Sequence, residues 1–534
     1  MRDINTYKEK IFTQSSLNAV FLTGVASFLM HPFVFFGYYF PDLGFLAWFH
    51  LIPLVLGIHR SRLKHKIILC FISSMVFHYG LLYWLLTAMI KYGGLYFFQA
   101  FGVMTFLFII LSLVFALLLG FASWVNNHVK IPFFVILPLF MTTHDVILTH
   151  YPFYGLPWGL PPYSQGQWIH FFQWVDTTGV FGLGFFIYLI NGLFADGLLH
   201  FVYRRQVDKM ISRFLVVFVL VVLSLYVSFL SVRHYETSKQ SKNSITLALI
   251  QGNIPQDQKW DPFMAQDNLG AYLKLASTAV KDQAELVIWP ETSYPFGLRL
   301  ETFAKEKFLD KEQLATPFFF GAIVSEHNKN KIALYNSVVF ADKNADMKAF
   351  YNKIHLVPFG EYLPYKSIFG FMEGLTQGVG EFDPGKAFTL FRVNNLNFGS
   401  LICFEDIFPE YSRQWALQKA DVLVNYTNDA WYEDTSAQYQ HLVFSQFRAL
   451  ENRRYLARST NTGVTAIINP RGAVMAHIEP FKTSYLLKNL KIETADTYYT
   501  RKGDGWTLSV VSLCLLIFLY TLVKCALGPV KIEF

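Results

Sequence analysis

Residues 399–410 read Gly399-Ser400-Leu401-Ile402-Cys403-Phe404-Glu405-Asp406-Ile407-Phe408-Pro409-Glu410. A short apolar run ends on a cysteine and acidic residues follow at once, the pattern of a buried strand that delivers a side chain to the rim of a sheet. Of the four cysteines, Cys70, Cys514 and Cys525 lie in long apolar stretches, and Cys403 alone lies in a segment of ordinary globular composition. A single thiol in a domain of this size has no disulfide partner, which leaves two readings, a buried inert side chain or a nucleophile.

Further strands surround this one. Apolar runs at 245–254, 284–289, 317–324, 335–342, 347–357, 386–393, 397–403, 421–427 and 463–469 read as strands, and 262–282, 297–313, 408–419 and 437–456 as helices. Strands alternating with helices indicate an α/β layered domain over residues 233–505. The second strand runs into Pro290-Glu291-Thr292, and a later one into Asn352-Lys353-Ile354-His355, followed by Glu361. Strand ends are where α/β folds place reacting groups.

Those residues suit acyl transfer through a thioester. A cysteine attacks as its thiolate, so Glu291 fits a general base, and Lys353 fits a cation that holds the thiolate and an oxyanion. The backbone N–H of Phe404 fits a second oxyanion donor. Each residue also has an ordinary reading: Glu291 as a helix cap, Lys353 as solvated surface, Glu361 and Glu405 as ion-pair partners of the arginines at 448, 453, 454 and 458, Trp260 as packing or interface anchoring, and His355 as a structural histidine.

The rest of the chain is membrane-like. Of 534 residues, 53% are hydrophobic and only 16% charged, too apolar for a soluble enzyme of this length. Stretches at 14–30, 33–57, 66–90, 97–123, 131–148, 179–202, 211–232 and 506–527 approach the roughly 20 apolar residues of a bilayer span, eight in all, with Pro41 breaking the second. The first stretch lacks a small-residue cleavage site and further spans follow closely, so it is expected to stay as an anchor rather than act as a cleaved signal peptide. This divides the chain into a membrane domain (1–232, seven spans), an outward domain (233–505), and a final span with a short tail (506–534).

The net charge of +7 resides largely in short loops, Arg60, Arg62, Lys64 and Lys66 in one, Arg204, Arg205, Lys209 and Arg213 in another. Positive-inside topology explains this better than nucleic-acid binding does. It predicts cytoplasmic termini and residues 233–505 on the periplasmic side of a bacterial inner membrane. No HExxH, CxxC or phosphate-loop pattern suggests a metal or nucleotide, so no cofactor is expected.

The motifs "VIWPET", "NKIHLVPFGEYLP" and "LICFED" resemble those of the nitrilase superfamily, an α-β-β-α sandwich whose catalytic set falls here on Glu291, Lys353 and Cys403. With "LIQGNIPQDQKW", "NDAWY" and "RSTNTGVTAIINPRG", and with the membrane frame, the chain is similar throughout to the apolipoprotein N-acyltransferase family. The fold expected is therefore α/β: a nitrilase-like sandwich on a polytopic α-helical membrane domain of about eight transmembrane helices. The resemblance implies a ping-pong reaction. Cys403 takes an acyl chain, typically the sn-1 chain of phosphatidylethanolamine, and passes it to the N-terminal diacylglyceryl-cysteine amine of an apolipoprotein. It implies supporting roles for Trp260, Glu361 and Glu405. Phe404 departs from the family, which usually has Tyr after the nucleophile. The partners expected are a phospholipid donor, a diacylated apolipoprotein acceptor and the bilayer, with the chain acting as a monomer. A membrane-tethered amidohydrolase of the same fold is the alternative, and a non-enzymatic lipoprotein-binding module is a third reading. Residues 362–376, rich in aromatics, are expected to form a lid, with Phe371 as its probe.

Overall fold

The computed structural model describes residues 14–527 apart from 36, 41, 152–154, 303–314, 329–330 and 371–380. The Phe371 probe, residues 371–376 of the expected lid and most of the expected 297–313 helix lie outside the described residues; the described part of the lid holds a short helix, Lys366–Phe369. The described start of the 297–313 segment is a two-residue strand, Leu298–Arg299.

Two sheets lie face to face. One orders its strands Val474–Ile478, Thr465–Ile468, Tyr455–Thr460, Val422–Thr427, Leu396–Ile402 and Phe391–Val393 from edge to edge. The other runs Ser484–Thr494, Gln240–Gln251, Leu286–Ile288, Phe318–Asn328, Lys331–Ala341 and Met347–Asn352, with Leu298–Arg299 beside Phe318–Asn328. Strand alternation divides the core. Ile245, Leu247, Leu249, Leu286 and Ile288 point between the sheets toward Phe398, Leu401 and Val424. Their neighbours Ala248, Ile250, Val287 and Trp289 point outward, under the helix Ala265–Lys281. Helices Pro409–Leu417 and Ala437–Asn452 cover the opposite face, completing an α-β-β-α sandwich. The helix expected over 437–456 stops at Asn452, where Arg453 turns left-handed (φ 49°) and the chain enters a buried strand.

Among the described residues five helices are long and apolar enough to cross a bilayer: Phe97–Val129, Phe133–His150, Val175–Arg204, Val207–Ser238 and Gly505–Leu527. The pair Leu63–Leu81 and Trp84–Lys91, bent by 59°, makes up to six among the described residues. Gln14–Leu29 contributes 16 described residues. The segment expected to span at 33–57 is instead a hairpin, Phe33–Phe35 with Tyr38–Phe40, then a 3-10 turn Asp42–Trp48 and a short helix Ile52–Ile58. Pro53 stands in the first turn of that helix, where a missing N–H and fixed φ start a helix but cannot continue one.

The two parts share a core. Phe404, Ile407, Phe408, Phe444 and Phe447 pack with Leu81, Trp84, Met104, Phe108 and Val180 of the membrane helices. Polar contacts fix the join. Gln440 accepts from the indoles of Trp84 (3.2 Å) and Trp158 (2.9 Å), and Arg453 donates to Asp176 Oδ2 at 2.8 and 3.0 Å and to Gln173 Oε1 at 2.7 Å.

Candidate active site

Glu291, Lys353 and Cys403 each follow the last residues of a strand, and all three line one cavity of about 210 Å³. Lys353 is 1% exposed, so it is no surface lysine. Its ammonium meets Glu361 at 2.8 and 2.9 Å and lies 3.7 Å from Glu291 Oε1. Asn336 Nδ2 donates at 2.8 Å to Oε1 of both carboxylates, holding the two acids on either side of the lysine. Burial works against the Lys353 ammonium, but Glu361 and Glu291 more than offset it and hold its pKa above the ordinary lysine value.

Cys403 occupies the tight end of its strand with φ 49°, a left-handed conformation unfavourable for a residue with a Cβ. The turn is braced from both sides. Glu405 Oε2 accepts from Ile402 N at 2.7 Å, and its Oε1 accepts from Ile354 N (2.7 Å), Tyr351 OH (2.8 Å) and His355 N (3.2 Å). Glu405 therefore ties the cysteine loop to the lysine loop from behind, outside the cavity lining and, among the described residues, with no arginine partner. From the other side Asn425 Nδ2 donates to the carbonyls of Leu401 and Cys403 at 3.3 Å, while its Oδ1 accepts from Arg458 at 2.7 Å. Burial first, and then the Glu291 carboxylate, push the Cys403 thiol up against the pull of Lys353.

Trp260 and Glu361 line the same cavity, whereas Phe404 lines the next one. That second cavity, about 620 Å³, is bounded by Leu95, Phe98, Gly102, Val103, Phe106 and Ile110 of the membrane helices and their approach. It shares Leu85, Met89, Val357, Pro358, Phe359 and Tyr432 with the first, so apolar space among the helices adjoins the cavity that holds the thiol. His355 stacks on Phe408 at 4.0 Å and meets Tyr411 OH at 3.0 Å, a packing role.

Sequence reading missed Asn336, Lys259 and a buried network. His441 bridges Asp406 (2.9 Å) and Asp429 (2.8 Å), and Arg458 joins the same two carboxylates at 3.3 and 2.8 Å. Asp429 belongs to "NDAWY" and Arg458 opens "RSTNTG", so the motifs carried the signal, but the pairing is tertiary. No group of three or more His, Cys, Asp or Glu among the described residues is placed to hold a metal ion.

Residues 246–499 match the family model for carbon-nitrogen hydrolases, and residues 19–193 match that of the apolipoprotein N-acyltransferase N-terminal domain. Similar curated proteins include apolipoprotein N-acyltransferase from Geobacter metallireducens, 31% identical over 479 residues that cover 88% of this chain and 90% of the relative. The Borreliella burgdorferi protein of the same name is 28% identical over 507 residues, covering 90% of each chain. Among solved structures, a mutant amidase of the nitrilase superfamily from Nesterenkonia is 19% identical, covering 48% of this chain and 93% of its own with a TM-score of 0.35. A Saccharomyces cerevisiae member of the nitrilase superfamily is 17% identical, covering 47% and 91% with the same score.

Proposed function

The chain belongs to the apolipoprotein N-acyltransferase family, an acyltransferase of lipoprotein maturation, and from that premise we propose a thioester route that draws its acyl chain from a bilayer phospholipid. The observation that carries this reading is the junction of the two cavities. A thiol, a carboxylate and an ammonium line a space that shares its wall with an apolar cavity between the helices Trp84–Lys91 and Phe97–Val129. An acyl chain that enters there stays out of water, a difference of about 0.8 kcal/mol per CH₂. A hydrolase of small amides has no use for such a space.

In the first half-reaction Glu291 takes the Cys403 thiol proton and the thiolate attacks the ester carbonyl of the phospholipid, phosphatidylethanolamine at sn-1 by family resemblance. Lys353 faces the oxyanion that develops, and the Phe404 N–H, in the first turn of the 3-10 segment Cys403–Ile407, is free of a helical partner there. On collapse Glu291 returns the proton to the departing lysophospholipid oxygen. In the second half-reaction the α-amine of a diacylated apolipoprotein attacks the thioester. Glu291 takes a proton from the amine and hands it to the leaving thiolate, so the amide forms and the enzyme is restored.

Short-loop arginines and lysines support a periplasmic site with cytoplasmic termini. Since one chain carries every group named, a monomer suffices.

The test is the intact mass of detergent-purified protein incubated with phosphatidylethanolamine. A fatty-acyl increment on the Cys403 peptide, removed by hydroxylamine and absent in Cys403→Ser, is the expected result. An unmodified Cys403 in folded protein would overturn the phospholipid donor and favour the amidohydrolase.

A further inference from the structure

A second lysine is buried at this site and the steps above do not use it. Lys259 is 5% exposed and lies on the turn after the strand Gln240–Gln251, its N–H donating to Pro255 O at 3.1 Å. Its ammonium donates to the main-chain carbonyl of Glu291 at 3.0 Å and to Thr292 Oγ1 at 2.7 Å. The turn it grips needs holding. Thr292 has φ 45°, and Gly321 of the neighbouring strand presses so close that a Cβ there would come within 2.2 Å of Thr292 N. The carboxylate end of Glu291 is fixed by Asn336, and its backbone end by Lys259.

Among the described residues no carboxylate is within ion-pairing distance of Lys259, whereas Lys353 has two. Burial pulls the Lys259 pKa down to about 8, and the charges that work to raise it are Glu291 and Cys403. A buried ammonium without a partner is costly unless an anion forms nearby. In this site the anion that forms during turnover is the Cys403 thiolate.

We propose that Lys259 is a positioning residue with two tasks: it stakes the turn that presents Glu291, and its charge stabilises the anionic state of Cys403. The proposal rests on Cys403 being the reacting thiol. The charged and titratable groups that face Cys403 are Glu291, Lys353 and Asp429, with Tyr432 and Glu361 on the same cavity wall. Lys353 also acts on the thiolate, and Lys259, anchored on the Glu291 carbonyl, adds a second positive charge from the side of the base. No proton passes through Lys259, because the thiol proton goes to Glu291.

The measurement is the rate of Cys403 alkylation by iodoacetamide across pH 6 to 10, in the full-length protein in detergent. Lys259→Gln keeps an N–H donor for the Glu291 carbonyl but loses the charge. Its alkylation midpoint is expected to rise by about one pH unit, giving about tenfold slower modification at pH 7. Lys259→Arg, which keeps the charge, is expected to hold the wild-type midpoint. Lys259→Met is read in the same way if the Gln variant does not fold. An unchanged midpoint in a folded neutral variant would overturn the proposal, as would equal shifts in the Gln and Arg variants. A wild-type Cys403 that resists alkylation at every pH would instead overturn the nucleophile itself.

Discussion

The Lys353 ammonium is held 2.8 Å from Glu361 Oε2 but 3.7 Å from Glu291 Oε1, so its closer partner is the acid not assigned to proton transfer. Glu361 thus fixes the cation, and in the proposed mechanism Glu291 is left to take the thiol proton. Glu361→Gln keeps the shape and removes the partner, leaving a buried ammonium under-compensated. Loss of one partner of a buried pair costs about 3 to 5 kcal/mol. The expected outcome is a lowered melting temperature and acyl transfer reduced by about 100-fold or more. Wild-type transfer rates in this variant would show that Glu291 alone suffices.

Gly102 lines the apolar cavity, and a Cβ built on it meets nothing within 4 Å. Gly102→Phe should therefore fold and fill part of the space assigned to the acyl chain. The mass added to Cys403 from a mixture of phospholipids is expected to shift toward shorter chains. An unchanged chain distribution would place the acyl chain elsewhere.

Phe404 packs edge-on to Phe408 at 5.1 Å and lines the same cavity. A hydroxyl added there gains at most about 1 kcal/mol net, so Phe404→Tyr is expected to stay within about tenfold of wild type. Phe404→Ala removes the wall and is expected to lower stability by about 3 to 5 kcal/mol. Thermal melts and transfer assays on both variants check this, and equal behaviour of the two would mean the ring does nothing.

His441 lies between Asp406 and Asp429, and its pKa is raised: burial and Arg458 oppose the imidazolium, and the two carboxylates more than offset them. A group whose pKa rises on folding contributes stability that is complete below its unfolded value, about 6.5, and is lost as pH climbs through the folded value. The melting temperature of the wild type is therefore expected to fall from pH 6 toward pH 9. In His441→Gln the fall should be smaller and the whole curve lower. Parallel curves for the two proteins would show that His441 is not the group responsible.

Sequence alone was sufficient for the long apolar helices, most of the strands and the ordered motifs. Apolar density marked the helices Phe97–Val129, Phe133–His150, Val175–Arg204, Val207–Ser238 and Gly505–Leu527. Apolar runs marked most strands of the sandwich, and ordered motifs brought Glu291, Lys353 and Cys403 forward as a set. Tertiary structure decided what each charge faces. Glu405 looked equivalent to Glu361, yet one braces two loops from behind the site and the other pairs with the lysine, because the strands that carry their partners converge only in the folded sheets. Lys259 reads as a charged turn residue beside Trp260 until the strand Leu286–Ile288 places the Glu291 carbonyl over its ammonium. Apolar composition at 33–57 matched a span, but hairpin pairing and a proline at a helix start took that segment out of continuous helix. Burial is written along a chain because each residue's hydrophobicity is its own, whereas hydrogen-bond partners are fixed by registers between segments hundreds of residues apart, such as Trp158 with Gln440.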